Sequence, residues 1–577
     1  MKHWHYIGLA VFVGIAAPMT LAKTAPMQTP VNGRVPTLEV VLKPHQTADK
    51  VDYVDVHMTV ANPAVAADAT LVHMPLVVAS IPTQRYDGDA IKASDASGNL
   101  PLTITEEPPT PFLSYRDWHV ARATTGDVTL SYRAVPRVVD EHTRNGPLFD
   151  LREEAGGMDG AGFTFIAPPV VKTPYAINLH WDMSDMPAGS RGIWSFGEGD
   201  VSIVKPAEEL ATTFYYAGPV NSYPPDVSDR FHMYRLSDPP FDASGAAQMI
   251  DKLFNYVSAF FHDDGESYRV FIRKNPYVSG GGTALTRSFL FAYGTGKVET
   301  AEELEGLIAH EMVHNWPTLE GDHADTSWYT EGTAEYYSVL LSFRAGLSSS
   351  EEFLKRVNDR ADGYYTNPLQ RLSNHEAEKV YWQDARAGHV PYGRGFIYLA
   401  SIDAAIRAKS HGKRSLDDIV LPFVARTQHG ETVTVDDWKN AVAAELGPQA
   451  RTAYDDMTAG KLLAPPPNTY APCFRRVAVQ EYPQELGFDV LAYMGKPRVI
   501  KNLLPGSAAE RMGLQNGDVV IEGSDVSDPS FKYDKPVTLK ISRNGEELTF
   551  TFKAEGQAVT GYHWRRNPHV SDAACKL

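Results

Sequence analysis

Cysteine is nearly absent from this chain: 577 residues hold only Cys473 and Cys575. Two isolated thiols exclude a thiolate zinc site and a disulfide-dense scaffold. In an oxidising compartment the pair can still close one bridge, tying the C-terminal tail back to the start of the last domain. Basic charge is also scarce, with 54 Lys and Arg against 71 Asp and Glu and a formal net charge of -17. That balance argues against nucleic acid as a partner, because phosphate binding needs a basic surface. Long apolar runs are missing beyond the N-terminus, so no transmembrane span is expected in the mature chain. No long internal repeat or low-complexity tract occurs.

The length calls for two to four domains. Eleven per cent aromatics and 40 prolines point to strand-rich, loop-rich folding units. Residues 1–22 read as a cleavable signal peptide. A weakly basic Met1-Lys2-His3-Trp4-His5 precedes an apolar run from Tyr6 to Ala17, and Thr20-Leu21-Ala22 supplies small residues at the cleavage positions. The expectation is a periplasmic or secreted protein starting at Lys23. An uncleaved anchor is the alternative, although the run is short for a membrane span.

From Val35 to Tyr223, short alternating or β-branched runs such as Val54 to Val60 and Val128 to Tyr132 are separated by turn residues. This predicts an all-β domain over 23–234. Near residue 235 the pattern changes. Gly245 to Phe261 reads as an amphipathic helix, and mostly helical patterns run on to about Lys461, giving a catalytic domain over 235–464. Pro465-Pro466-Pro467 opens a linker over 465–474, a strand-rich domain spans 475–555, and 556–577 reads as a tail.

Thr300 and Glu303 form a capping-box pattern that opens a helix through about Trp316. On it lies His310-Glu311-Met312-Val313-His314. Histidines four apart share a helix face and can take two corners of a zinc tetrahedron, while Glu311 can accept a proton from water. A catalytic zinc needs a third protein ligand. Glu331, early in a second helix capped by Thr326 or Ser327 and ending near Gly346, is the best candidate. Glu335, one turn later, is placed to accept a hydrogen bond from His310. Glu320, Asp322, His323 and Asp325 are rival ligands on the intervening loop. Pro317 and Glu320 stand where a metzincin needs glycine and histidine.

His310-Glu311-x-x-His314 with Trp328-x-x-Glu331-Gly332 resembles the gluzincins, and Glu331-Gly332-Thr333-x-x-Tyr336-Tyr337 most resembles the M61 glycyl aminopeptidase family. Tyr392-Gly393-Arg394-Gly395-Phe396 is similar to that family's Y-x-K-G-x motif, with arginine for lysine, and Ser415-Leu416-Asp417-Asp418 to a segment that follows it. The resemblance implies a thermolysin-like, mainly α catalytic domain, one Zn2+, and Tyr392 as hydrogen-bond donor to the tetrahedral oxyanion. It also implies a substrate-binding strand at Gly280-Gly281-Gly282. Related aminopeptidases carry a glutamate there that grips the substrate amine, whereas this chain has Thr283 and Ala284.

Glu485-Leu486-Gly487-Phe488 resembles the carboxylate loop of PDZ domains, and Pro505 to Val520 a PDZ helix and turn. Leu486, Gly487 and Phe488 would then hold the terminal carboxylate of a peptide ligand. The expectation is a multidomain, exported zinc peptidase acting on peptide or protein substrates, aminopeptidase-like with small N-terminal residues (Gly or Ala). A zinc endopeptidase and a catalytically inactive PDZ-containing peptide-binding protein stay open as alternatives.

Overall fold

The computed structural model describes residues 35–577 apart from 79–80, 109–112, 141–142, 144–148, 172, 226–229, 264, 266, 278–279, 297–300, 382, 484, 490–496, 525–534, 572–573 and 576. The signal-peptide reading and the Thr300–Glu303 capping box lie outside what is described. The chain forms two compact units. One comprises residues up to 251 with 265–301, and the other residues 252–264 with 302–577.

The first unit is β-rich. Strand Thr37–Thr47 alternates exposed and buried positions and turns at Ala48-Asp49, both at positive φ, into its antiparallel partner Lys50–Val60. These strands are at the middle of a seven-stranded sheet that also includes Tyr175–Trp181, paired in parallel with Thr37–Thr47. Leu38, Val40, Leu42, Val54, Val56 and Met58 are inaccessible or nearly so and start one continuous core. Each such side chain contributes about 1.5–3 kcal/mol through burial. A separate five-stranded sheet holds Phe231–Arg235, Tyr268–Lys274 and Ser288–Tyr293, with Gly281–Leu285 at its edge. The sequence reading assigned the residues of this sheet beyond 234 to the catalytic domain. They group with the β unit because their backbone bonds are satisfied by its sheet.

The second unit is mainly helical. Its helices, counting α1 (Ala243–Phe260) that leads into it, are α2 (Ala301–Val313), α3 (His323–Arg344), α4 (Ser350–Thr366), α5 (Asn374–Val380), α6 (Ala385–Gly388), α7 (Val390–Lys409), α8 (Asp417–Gln428), α9 (Val435–Leu446) and α10 (Gln449–Thr458). The N-cap residue of α3 is Asp322, earlier than the expected Thr326 or Ser327. α3 and α7 cross with their backbones nearly touching. A Cβ on Gly332 would lie 2.5 Å from the Gly395 Cα, and one on Gly395 2.0 Å from the Trp328 carbonyl oxygen. Glycines beside Glu331 and after Tyr392 are therefore a packing requirement that draws these two residues' helices together.

Beyond α10, strand Phe474–Glu481 pairs antiparallel with Val559–Arg566 over its whole length, from Phe474 opposite Arg566 to Glu481 opposite Val559. The segment expected to be a tail thus supplies half of a two-stranded ribbon. Between the two strands sits a small module of four strands, with the short α11 (Ala508–Arg511) and a core of Leu486, Phe488, Ile500, Leu514, Val537, Leu539 and Ile541. Its Asn544-Gly545 turn, both residues at positive φ, closes the hairpin of Val537–Arg543 and Glu546–Phe552. Among the described residues no helix is long and apolar enough to cross a membrane.

Cys473 and Cys575 are bridged across a sequence separation of 102. Closing a loop of that size restricts the unfolded chain, so a Cys473→Ser, Cys575→Ser variant is expected to lose about 2–4 kcal/mol. The measurement is the thermal midpoint of this unit, and an unchanged midpoint would show that strand pairing alone fastens the ribbon.

Candidate metal centre

The i, i+4 spacing at the end of α2 brings His310 and His314 onto one face, with their Nε2 atoms 3.2 Å apart. Glu331, from the first half of α3, points its Oε2 at the same place, 3.4 Å from His310 Nε2 and 3.7 Å from His314 Nε2. All three residues are buried. Zinc bonds of about 2.0–2.1 Å in a tetrahedron separate neighbouring ligand atoms by about 3.4 Å, so this triangle fits the ion.

Charge and hydrogen bonding agree with that fit. Glu331 Oε2 and both carboxylate oxygens of Glu311 are buried with no hydrogen-bond partner among the described residues. Buried carboxylate oxygens are costly unless a cation or water completes them. Burial raises the Glu311 carboxyl to about 7, with His310 opposing and Glu331 and Glu335 adding to the rise. Burial pulls His314 down to about 4. It pulls His310 down as well, but the neighbouring Glu331 and Glu335 carboxylates outweigh it and lift that imidazole to about 10. Three carboxylates crowded around two imidazoles make the place strongly attractive to a dication.

Glu335 approaches His310 from the other side of the ring, its Oε1 3.3 Å from Nδ1. Its other oxygen forms an ion pair with Arg360 of α4. Burial pushes the Glu335 carboxyl up, but Arg360 and His310 prevail and hold it down at about 2. Tyr392, in the first turn of α7, stacks its ring parallel to His310 with centroids 5.8 Å apart. Burial, then Glu331, keeps its hydroxyl protonated well above the usual phenol range. Tyr381 shares a hydrogen bond with Tyr392 and is likewise buried beside Glu331.

The rival residues have other engagements, and His323 and Asp325 lie in the first turn of α3 where a loop was expected. His323 Nδ1 is 2.6 Å from Glu378, Asp325 pairs with His375 at 3.3 Å, Asp322 is the N-terminal cap residue of α3, and Glu320 bridges to Thr434 through its backbone. Gly280, Gly281 and Gly282 belong to the other unit, at the start of and within the edge strand Gly281–Leu285, where Ala284 is buried. A Cβ on Gly282 would sit 2.0 Å from the Phe289 ring, so packing alone demands glycine there. Leu486 and Phe488 point into the core of the small module, and the Gly487 N–H donates to the Glu485 carboxylate at 2.7 Å. A second group of potential ligands, Asp362, Glu481 and His563, is a clasp in which His563 Nε2 hydrogen-bonds Asp362 Oδ1.

Arg360 and Tyr381 escaped the sequence reading. Arg360 carries no motif, and its distance along the chain from Glu335 hides a contact made only by helix packing. Tyr381 lies eleven residues before Tyr392 and could have been sought as a partner for it.

The family model for M61 glycyl aminopeptidase matches residues 303–389, which carry His310, Glu311, His314, Glu331, Glu335 and Arg360. Among solved structures, an aminopeptidase N family protein from Idiomarina loihiensis is similar at 14% identity and a TM-score of 0.65, over 94% of this chain and 100% of that one. An M1 zinc metallopeptidase from Deinococcus radiodurans aligns at 17% identity and a TM-score of 0.45, over 75% and 95%. No curated protein matches the chain. With the matched segment spanning the two histidines and the glutamate that converge on one point, the chain is an M61-like zinc metallopeptidase.

Proposed function

We propose that this is an exported aminopeptidase-like hydrolase for peptides with small N-terminal residues, its single zinc held by His310, His314 and Glu331. The observation that carries the reading is the triangle of Nε2, Nε2 and Oε2 atoms beside the buried, unpartnered carboxylate of Glu311. Bound zinc supplies Lewis-acid polarisation of the scissile carbonyl and acidifies water. Glu311 takes the proton of the attacking water and returns it to the leaving amine, a task suited to a carboxyl whose burial lifts its pKa. Tyr392 keeps its proton and donates a hydrogen bond to the oxyanion. Glu335 orients His310 so that Nε2 faces the metal.

One observation favours endopeptidase action as a second reading: Ala284 and Thr283 occupy the strand where a carboxylate for the substrate amine is expected. Turnover of a glycyl or alanyl peptide is compared with that of its N-acetylated form. Aminopeptidase action predicts loss of turnover on acetylation, and equal rates decide for the endopeptidase. Chelation is expected to abolish hydrolysis, with recovery on adding back one equivalent of zinc; full activity in the metal-free chain would overturn the metal assignment. We further propose that the small module is PDZ-like and takes peptide C-termini. What supports this is the loop itself, with Gly487 at positive φ between Leu486 and Phe488, both anchored in the module's core.

A further inference from the structure

Helix α4 grips different parts of the unit with its two sides. Residues four apart on a helix differ by about 40° around its axis and residues two apart by about 200°, so Arg356 and Arg360 share one side while Asn358 and Asp362 share the opposite one. Arg356 donates to Glu305 Oε2 of α2 at 2.6 Å, and the other oxygen of that buried carboxylate accepts from Ser342 of α3. Arg360 holds Glu335 of α3, which holds His310 of α2. One arginine pair thereby fastens both helices that carry the metal-facing residues.

The opposite side is bonded to the ribbon. Asn358 acts as a pairing partner for the strand Val559–Arg566, accepting from the Trp564 N–H at 2.8 Å and donating to the Trp564 carbonyl at 3.1 Å. Asp362, mostly buried, pairs with His563, which also approaches Glu481 of the other ribbon strand at 3.5 Å. The ribbon is fastened by the Cys473–Cys575 bridge.

We propose that α4 is the support through which the C-terminal ribbon maintains the metal-binding geometry, with Arg360 as a positioning residue acting through Glu335 on His310. The proposal rests on the reading of His310, His314 and Glu331 as zinc ligands. Without the guanidinium, the buried Glu335 carboxylate loses its counter-charge and its fixed direction, and the His310 ring loses its orientation. Because the seat of Arg360 depends on α4, loosening the ribbon side is felt at the same place.

The test is zinc affinity of the full-length chain, measured by competition with a fluorescent chelator, alongside kcat and KM at saturating zinc. Arg360→Gln is expected to weaken zinc binding about 10- to 100-fold, with stoichiometry at saturation still one and KM little changed. Arg360→Lys, keeping charge but not the fork, should recover part of the loss and serves if the glutamine variant does not fold. His563→Ala is expected to weaken zinc binding several-fold in the wild-type background and to have no further effect in Arg360→Gln. Wild-type affinity in Arg360→Gln overturns the positioning role, and an equal His563→Ala effect in both backgrounds overturns the coupling. Either result leaves the zinc ligands standing, whereas a wild-type chain that binds no zinc overturns both readings.

Discussion

Replacing Glu311 by glutamine is expected to remove hydrolysis while leaving the metal in place. The two side chains have nearly the same shape, so the wholly buried position is refilled without a cavity. What goes is the ability to accept a proton, since an amide nitrogen carries only donors. General-base catalysis contributes factors of 10²–10⁴, and in the proposed mechanism the same group also returns the proton to the amine, so about a thousandfold or more should be lost, roughly 4 kcal/mol of barrier. With His310, His314 and Glu331 as the proposed ligands untouched, elemental analysis should still find one zinc per chain. A variant that keeps more than about a tenth of wild-type kcat would remove Glu311 from the role of base.

Tyr392→Phe carries the second large effect. The substitution keeps the ring that stacks on His310 and deletes only the hydroxyl, so the fold and the imidazole's packing survive. Removing one oxyanion donor costs about 10²–10³ in kcat, or about 2.7–4 kcal/mol, because charge on that oxygen develops only in the transition state. KM should move little for the same reason. The steady-state kinetics of the variant decide the matter: a raised KM at unchanged kcat would make Tyr392 a ground-state binding group instead.

How far the site could be read from sequence depended on how local its encoding is. His310, Glu311 and His314 sit within five consecutive residues, and Glu331 and Glu335 one turn apart, so helical spacing alone gives their mutual placement. Tyr392 needed family resemblance, because only the crossing of α3 with α7 at Gly332 and Gly395 brings it to His310. Arg360 had no local signal at all. The strand Val559–Arg566 was read as tail because its partner, Phe474–Glu481, lies across the whole small module, and strand pairing over that distance leaves no mark in either segment. The grouping of the strands beyond 234 is hidden for a similar reason: α1 begins just past that point, yet the strands that follow return to the β unit.

The small module leaves the ribbon and re-enters it at one point. Its two ends pass side by side, with the Gly556 N–H donating to the Pro483 carbonyl at 2.8 Å, just beyond the last pair, Glu481 and Val559. Topologically it is a long hairpin loop that has acquired a core of its own. Such an insertion behaves as a cassette: it can be lengthened, exchanged for another fold or reduced to a tight turn without breaking a ribbon hydrogen bond or disturbing Cys473 and Cys575. Pairing in the ribbon thereby places no demand on the size or fold of what is inserted between its strands.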